Sequence, residues 1–122
     1  MAAGQQVPVL AGGWAEQRAL RLLRQRGWRL LDRNWHCRWG ELDLVLQKPN
    51  RLLVVEVKGR SSGADGWGAA ALGARKRQRL HRAFACWQAA HADRASDGVE
   101  LVYALVPLPP TRRPVRWIRV SA

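Results

Sequence analysis

Two strand-forming runs, Leu42–Gln47 and Arg51–Lys58, are separated by only Lys48-Pro49-Asn50. Proline fixes φ and asparagine tolerates the left-handed region, so this tripeptide makes a tight turn. The two runs are thereby bound to pair as an antiparallel hairpin. Centring the turn between Pro49 and Asn50 sets Asp43 opposite Glu56 and Glu41 opposite Lys58. Side chains alternate along a strand, so these four share one face. Leu42, Leu44 and Leu46, opposite Val57, Val55 and Leu53, form the other face, which reads as core.

Such a register is electrostatically awkward. Directly opposed residues hold their Cβ atoms about 5 Å apart. Two carboxylates at that separation repel by about 3 kcal/mol at an effective dielectric of ~20. A divalent cation relieves the repulsion, because Mg²⁺ (or Mn²⁺) takes one or two carboxylates and keeps room for water and phosphate oxygens. Lys58, further along the same face, can neutralise the pair, orient a water or stabilise charge on a phosphate. The plainer alternative is an exposed strand face carrying Glu–Lys pairs and no metal.

Composition makes the acids conspicuous. The chain has 122 residues, 21 of them Lys or Arg and only 9 Asp or Glu, for a formal charge of +12. Three of the nine acids are Glu41, Asp43 and Glu56. A balance this basic makes nucleic acid the first expected partner and an anionic membrane surface the second. The length suits one domain, read as residues 12–122 after a loose leader over 1–11. Cys37 and Cys86 match no metal or redox spacing and read as free thiols of a reducing compartment. No signal-peptide pattern opens the sequence, and no apolar run approaches the ~20 residues of a membrane helix. These features place the expected protein in the cytoplasm.

Around the hairpin the sequence alternates between helical and strand patterns. Ala15, Ala19, Leu22 and Leu23 recur at helical spacing and predict a helix over 12–26, stopped by Gly27. A short strand is expected over 28–34, then loop or strand over 35–39. Residues 59–68, with four glycines and two serines, read as a loop. A long helix is expected over 69–91, with Leu72, Leu80, Phe84 and Trp87 as its apolar stripe. The apolar run 99–106 predicts a strand covered on both faces, and 115–120 an edge strand. The order α-β-β-β-α-β-β gives an α/β fold, a mixed sheet with helices packed on it.

Several residues could serve a site in the hairpin. Glu16 lies in the first turn of the first helix, where the helix dipole alone favours an acid, but it shares a face with Leu20 and Leu23. Lys76 interrupts the apolar stripe of the second helix and faces the sheet. Arg75, Arg77, Arg79 and Arg82 make that helix strongly basic, and no acid lies between Asp65 and Asp93. Of the seven tryptophans, Trp28, Trp87 and Trp117 read as core. Trp35, Trp39 and Trp67 lie in polar or glycine-rich segments, where they either stack on unpaired bases or cover a small core. His36 and Cys37 have no ligand spacing, and His81 and His91 read as surface residues.

Taken together, Gly12-Gly13-x-Ala15-Glu16, Arg33-Asn34, Gly40-Glu41-Leu42-Asp43-Leu44-Val45, Val54-Val55-Glu56-Val57-Lys58-x-Arg60 and Lys76 resemble the YraN-like protein family. That family is similar to Holliday junction resolvases and to the restriction-endonuclease-like PD-(D/E)xK nucleases. The resemblance runs over about residues 12–87. It implies a restriction-endonuclease-like α/β core, metal ligation by Asp43 and Glu56 with Glu16 as a further acid, and a catalytic Lys58; Glu41, on the same strand face, is a further accessory candidate. Lys76, Arg60 and the arginines of the second helix would contact nucleic acid. The implied activity is hydrolysis of a phosphodiester in structured, branched DNA by a metal-activated water, with a homodimer as a carry-over from junction resolvases. A catalytically silent nucleic-acid-binding module of the same fold is the alternative, and a structural protein of a basic assembly the third. Two departures are visible: Leu42 replaces the proline of the wider motif, and the strand reading Glu100-Leu101-Val102-Tyr103-Ala104 lacks the Phe-Asp usual in the family.

Overall fold

The computed structural model describes residues 11–60, 73–94, 98–110 and 112–120. Its elements are α1 (Ala11–Gln25), β1 (Arg29–Cys37), β2 (Gly40–Lys48), β3 (Arg51–Arg60), α2 (Ala74–Ala90), β4 (Gly98–Pro107) and β5 (Arg116–Arg119), with a single 3-10 turn at Ala92–Arg94. The expected order of helices and strands is thus observed. Most of residues 28–39, which the sequence divides into a strand and an ambiguous segment, instead form one continuous strand, β1. The first two residues of the expected loop over 59–68 belong instead to β3, which runs on to Arg60, and the rest of it lies outside the described residues. Trp67, Leu72 and the expected start of the second helix lie outside the described residues.

The five strands lie in the order β1-β2-β3-β4-β5, antiparallel except for the parallel pair β3–β4. A parallel pair needs a crossover, and the segment containing α2 supplies it. The first helix covers one face of the sheet, packing Ala15, Ala19, Leu20 and Leu23 against Leu44, Leu46, Leu53 and Val55. The second covers the opposite face, packing Leu80, Ala83, Phe84 and Trp87 against Val45, Leu52, Val54 and Leu101. Both faces are therefore buried, which explains the near-continuous apolar runs of β3 and β4. No helix among the described residues is long and apolar enough to cross a membrane.

The hairpin register is as expected where the ladder forms: Lys48 pairs with Arg51, and the pairing continues to Leu44 with Val55. Asn50 takes the left-handed φ of 58° that the turn requires. Beyond Leu44 the ladder stops. Asp43 and Glu56 are not backbone partners, and neither are Glu41 and Lys58; Glu41 instead pairs with His36 of β1. Strict alternation also fails. Leu42 packs with Val45 on the α2 side, whereas Leu44 and Leu46 face α1.

The cause lies in β1. Asn34 has φ 53°, a left-handed residue in mid-strand, which kinks a ladder and re-aims its side chains. Arg33, paired with Leu44, reaches Glu16 of α1, while Trp35, paired with Leu42, packs on the α2 side. Both strands thus exchange faces across Asn34 and Asp43. Asparagine tolerates this conformation, whereas a β-branched residue there is strained.

Two other expectations are corrected. Trp117 is not core; it is 39 % exposed on the edge strand β5. His81 and His91 are half-buried rather than surface groups. The ring of His91 stacks on Trp87 with centroids 4.2 Å apart, and its Nε2 lies 3.4 Å from Asp32. Asp32 also accepts the indole N–H of Trp87 at 2.7 Å, so the second helix is locked to β1 by a polar contact inside an apolar layer.

Candidate functional site

The exchange of faces leaves Asp43 at a seam between the two halves of the molecule. Its side chain is only 8 % exposed. One carboxylate oxygen accepts the Val57 backbone N–H at 2.7 Å, taking the place of the ladder bond that would have continued the hairpin. Across the opened strands Asp43 also meets the Glu56 side chain. The Glu56 carboxyl is pushed up to about 9, by burial, by its hydrogen bond to Asp43 and by the charge of Asp43, against the opposing pull of Lys58. At neutral pH Glu56 is therefore protonated and donates to Asp43. The repulsion foreseen from the sequence is real, and a shared proton relieves it.

A pocket of about 190 Å³ opens over Glu56, while Asp43 lies buried behind it and is not part of the walls. Its walls are Gly40 and Glu41 from β2, Glu56 and Lys58 from β3, Lys76, Arg79 and Leu80 from α2, and Tyr103 from β4. The volume is small for a whole drug-sized ligand, which takes roughly 300 Å³ or more, but suits a phosphate group with a hydrated ion. Three cations, Lys58, Lys76 and Arg79, converge on it. Lys76 is exposed at the rim, so it reaches the site from the surface rather than from the buried stripe.

Glu16 approaches from the α1 side. Burial, then the charge of Asp43, raise its carboxyl above the ordinary value, while Arg33 and Asn34 oppose the rise. Arg33 Nε lies 3.4 Å from Glu16 Oε1. With the Asn34 amide turned to satisfy both partners, its nitrogen donates to the two Glu16 oxygens at 3.3 and 3.1 Å. Glu16 is thus held by the residue that makes the kink and its neighbour, and it senses Asp43 through the field.

Among the described residues, no three His, Cys, Asp or Glu side chains converge tightly enough to hold a metal ion together. The donor set is the buried pair Asp43 and Glu56. Two carboxylates are sufficient for Mg²⁺, which fills its remaining positions with water and phosphate oxygens. The residues present fit such an ion once Glu56 gives up its proton.

The remaining expected site residues are distributed around this centre. Arg77 and Arg79 both act electrostatically on Tyr103, which lines the pocket and whose hydroxyl is raised by burial first and by Glu56 next. Arg82 follows one turn along the same helix, and its guanidinium lies 5.1 Å from the ring centre of Trp39. Arg75 is exposed in the first turn of α2, away from the pocket walls. Arg60 ends β3, and its side chain lies outside the described part of the molecule. Glu41 lies at the rim, where its carboxylate is 3.4 Å from His36 Nε2. Cys37 and Cys86 are free thiols.

Sequence reasoning missed Tyr103 and the use of Asn34. The register of β3 on β4 sets Tyr103 beside Glu56, so β4 presents a phenol to the pocket. A parallel register over a long crossover leaves no local signal. Glu100 is a structural clamp, accepting from Arg51 and Arg119 at 2.9 Å each; the Arg51 bond is the main reason its carboxyl is lowered.

The model of the "Uncharacterised protein family UPF0102" matches residues 15–103. The chain is similar to a UPF0102 protein of Prochlorococcus marinus strain MIT 9303, at 57 % identity over 90 % of this chain and 88 % of the relative. It is 54 % identical to one of P. marinus strain MIT 9313 over 90 % and 88 % of the two chains. A UPF0102 protein of Parasynechococcus marenigrum strain WH8102 is 51 % identical over 90 % and 81 %. With the family model spanning residues 15–103, which include Glu16, Asp43, Glu56 and Lys58, the chain belongs to the UPF0102 family.

Proposed function

We propose that this protein is a divalent-metal-dependent endonuclease that hydrolyses phosphodiester bonds of structured, branched DNA. The observation that carries the reading is the buried contact of Asp43 with Glu56 under a pocket shared by Lys58, Lys76 and Arg79. Two acids forced together beneath three cations make an unfavourable arrangement for a purely structural surface. They match what a metal ion and a phosphate require of a protein.

Each residue then has a part. Asp43 and Glu56 would hold Mg²⁺ or Mn²⁺, which supplies Lewis-acid stabilisation to the phosphate under attack. The Val57 N–H fixes the orientation of Asp43. Lys58 faces the charge that builds on the phosphate oxygens. Lys76 and Arg79 bind the neighbouring backbone phosphates, with Arg77 and Arg82 extending that surface along α2. Glu16, through its field on Asp43, favours occupation by a cation. The test is cleavage of branched DNA with Mg²⁺ by the wild type, Asp43→Ala and Lys58→Ala. Loss in both variants supports the reading, and cleavage that survives both substitutions overturns it.

The alternative, a silent nucleic-acid-binding module, shares the basic rim but needs neither metal nor Asp43. Both readings predict salt-dependent binding. Replacing Lys76 or Arg79 with glutamine should weaken binding and lower the slope of log affinity against log salt by about one for each phosphate no longer neutralised. A slope unchanged in both variants would remove α2 from the nucleic-acid surface.

A further inference from the structure

Trp39 stands at the tip of the β1–β2 hairpin, next to Gly40 in the pocket wall. It is 41 % exposed and belongs to neither apolar cluster. Two guanidinium groups attend its ring, Arg38 at 4.8 Å and Arg82 at 5.1 Å from the centroid. Other tryptophans behave differently. Trp28 also has two cations over its ring, but it is buried. Trp117 is exposed, but on the edge strand β5 at the far side of the sheet.

The position of Trp39 relative to the pocket follows from the helix. Lys76, Arg79 and Arg82 recur at intervals of three residues and so lie along one side of α2. The first two line the pocket, and the third reaches Trp39. With a rise of about 1.5 Å per residue, this ridge is about 9 Å long. It leads from the pocket over Glu56 to an exposed indole. Cations on a ridge bind a phosphate backbone, and an aromatic ring at its end accepts the face of a base. A base held inside a duplex cannot offer its face; an unpaired one can.

We infer that Trp39, with Arg38 and Arg82, is a stacking platform for an unpaired nucleotide, and that it selects nucleic acid with a single-stranded segment beside the phosphate in the pocket. This rests on the nuclease reading for what happens at the pocket, but not for the binding preference itself. A strand that runs along the ridge would set its backbone on Lys76 and Arg79 and one base on Trp39. The arriving base would displace one guanidinium from the indole face, and the freed arginine would pair with the flanking phosphate.

Binding measured by fluorescence anisotropy in EDTA, where cleavage is suppressed, tests this. The probes are labelled strands about 15 nucleotides long, as DNA, as RNA and as a DNA duplex of the same sequence. Wild type is expected to prefer the single strands. Trp39→Ala should lower the ratio of single-strand to duplex affinity about tenfold, the effect of one lost stack. Trp39→Phe should restore most of the ratio, and Arg82→Gln should lower affinity together with its salt dependence. A preference for DNA over RNA, or the reverse, would name the sugar and supports the platform either way. A wild type that favours duplex, or a ratio unmoved by Trp39→Ala, overturns it. Cleavage of branched DNA by Asp43→Ala is measured alongside. Persistent cleavage there with a Trp39-dependent ratio rejects the nuclease site and keeps the platform, and the opposite pair of results does the reverse.

Discussion

Asp43→Ala is expected to reduce cleavage of branched DNA by a factor of about 1,000 or more. A bound metal ion stabilises phosphoryl transfer by several kcal/mol, and each ~1.4 kcal/mol is a tenfold change in rate. Alanine has a second consequence, because it leaves the buried Val57 N–H without its acceptor. An unsatisfied buried donor costs about 1–3 kcal/mol of stability. Asp43→Asn separates the two effects. Its amide oxygen still accepts from Val57, so the fold keeps that bond, while the charge that attracts the cation is gone. Both variants should lose cleavage equally, and only the alanine variant should melt earlier. Single-turnover cleavage together with thermal melts checks both. Wild-type cleavage by folded Asp43→Asn would refute the ligand role.

Glu56→Gln is expected to stabilise the protein while abolishing cleavage, an opposition that purely structural residues do not show. The folded Glu56 holds its proton up to about pH 9, whereas in the unfolded chain it ionises near 4.5. Between these values the folded state binds more protons than the unfolded one, so stability falls as pH rises. The contribution of the protonated acid is fully present below 4.5 and is lost as pH climbs through about 9. Glutamine stays neutral and can still donate to Asp43. It should therefore gain on the order of 3 kcal/mol over wild type at pH 7, and more as pH rises toward about 9. Urea unfolding of both proteins across about pH 5 to 9 measures the difference. Parallel pH profiles would show that Glu56 is not held protonated in the fold. Metal binding must expel the same proton, so affinity for Mg²⁺ should rise with pH.

Much of this is legible in the sequence, for local reasons. Pro49-Asn50 determines the turn, and the turn determines the register as far as Leu44. The scarcity of acids singles out Asp43 and Glu56. The remainder depends on interactions with no local signature. Simple alternation runs straight through Asp43, but the left-handed Asn34 on the neighbouring strand exchanges the faces there. This is why Asp43 meets Glu56 by its side chain at an opened seam rather than as a cross-strand partner. Arg33-Asn34 can be quoted as part of a motif, yet its work of holding Glu16 requires α1 to dock on that side of the sheet. Tyr103 is hidden by the parallel register of β3 on β4, and Trp117 reads as core although its strand reads as an edge, because an apolar side chain does not reveal whether its own face is covered.

The pair at the seam is the centre of the account, and a crystal of the wild-type protein soaked in Mn²⁺ at a pH near 9 tests it most directly, since Glu56 then begins to release its proton. Anomalous density between Asp43 and Glu56, with both carboxylates within about 2.0–2.3 Å of the ion, is the expected result. Saturating Mn²⁺ that leaves Glu56 still hydrogen-bonded to Asp43, with no density between them, would contradict it.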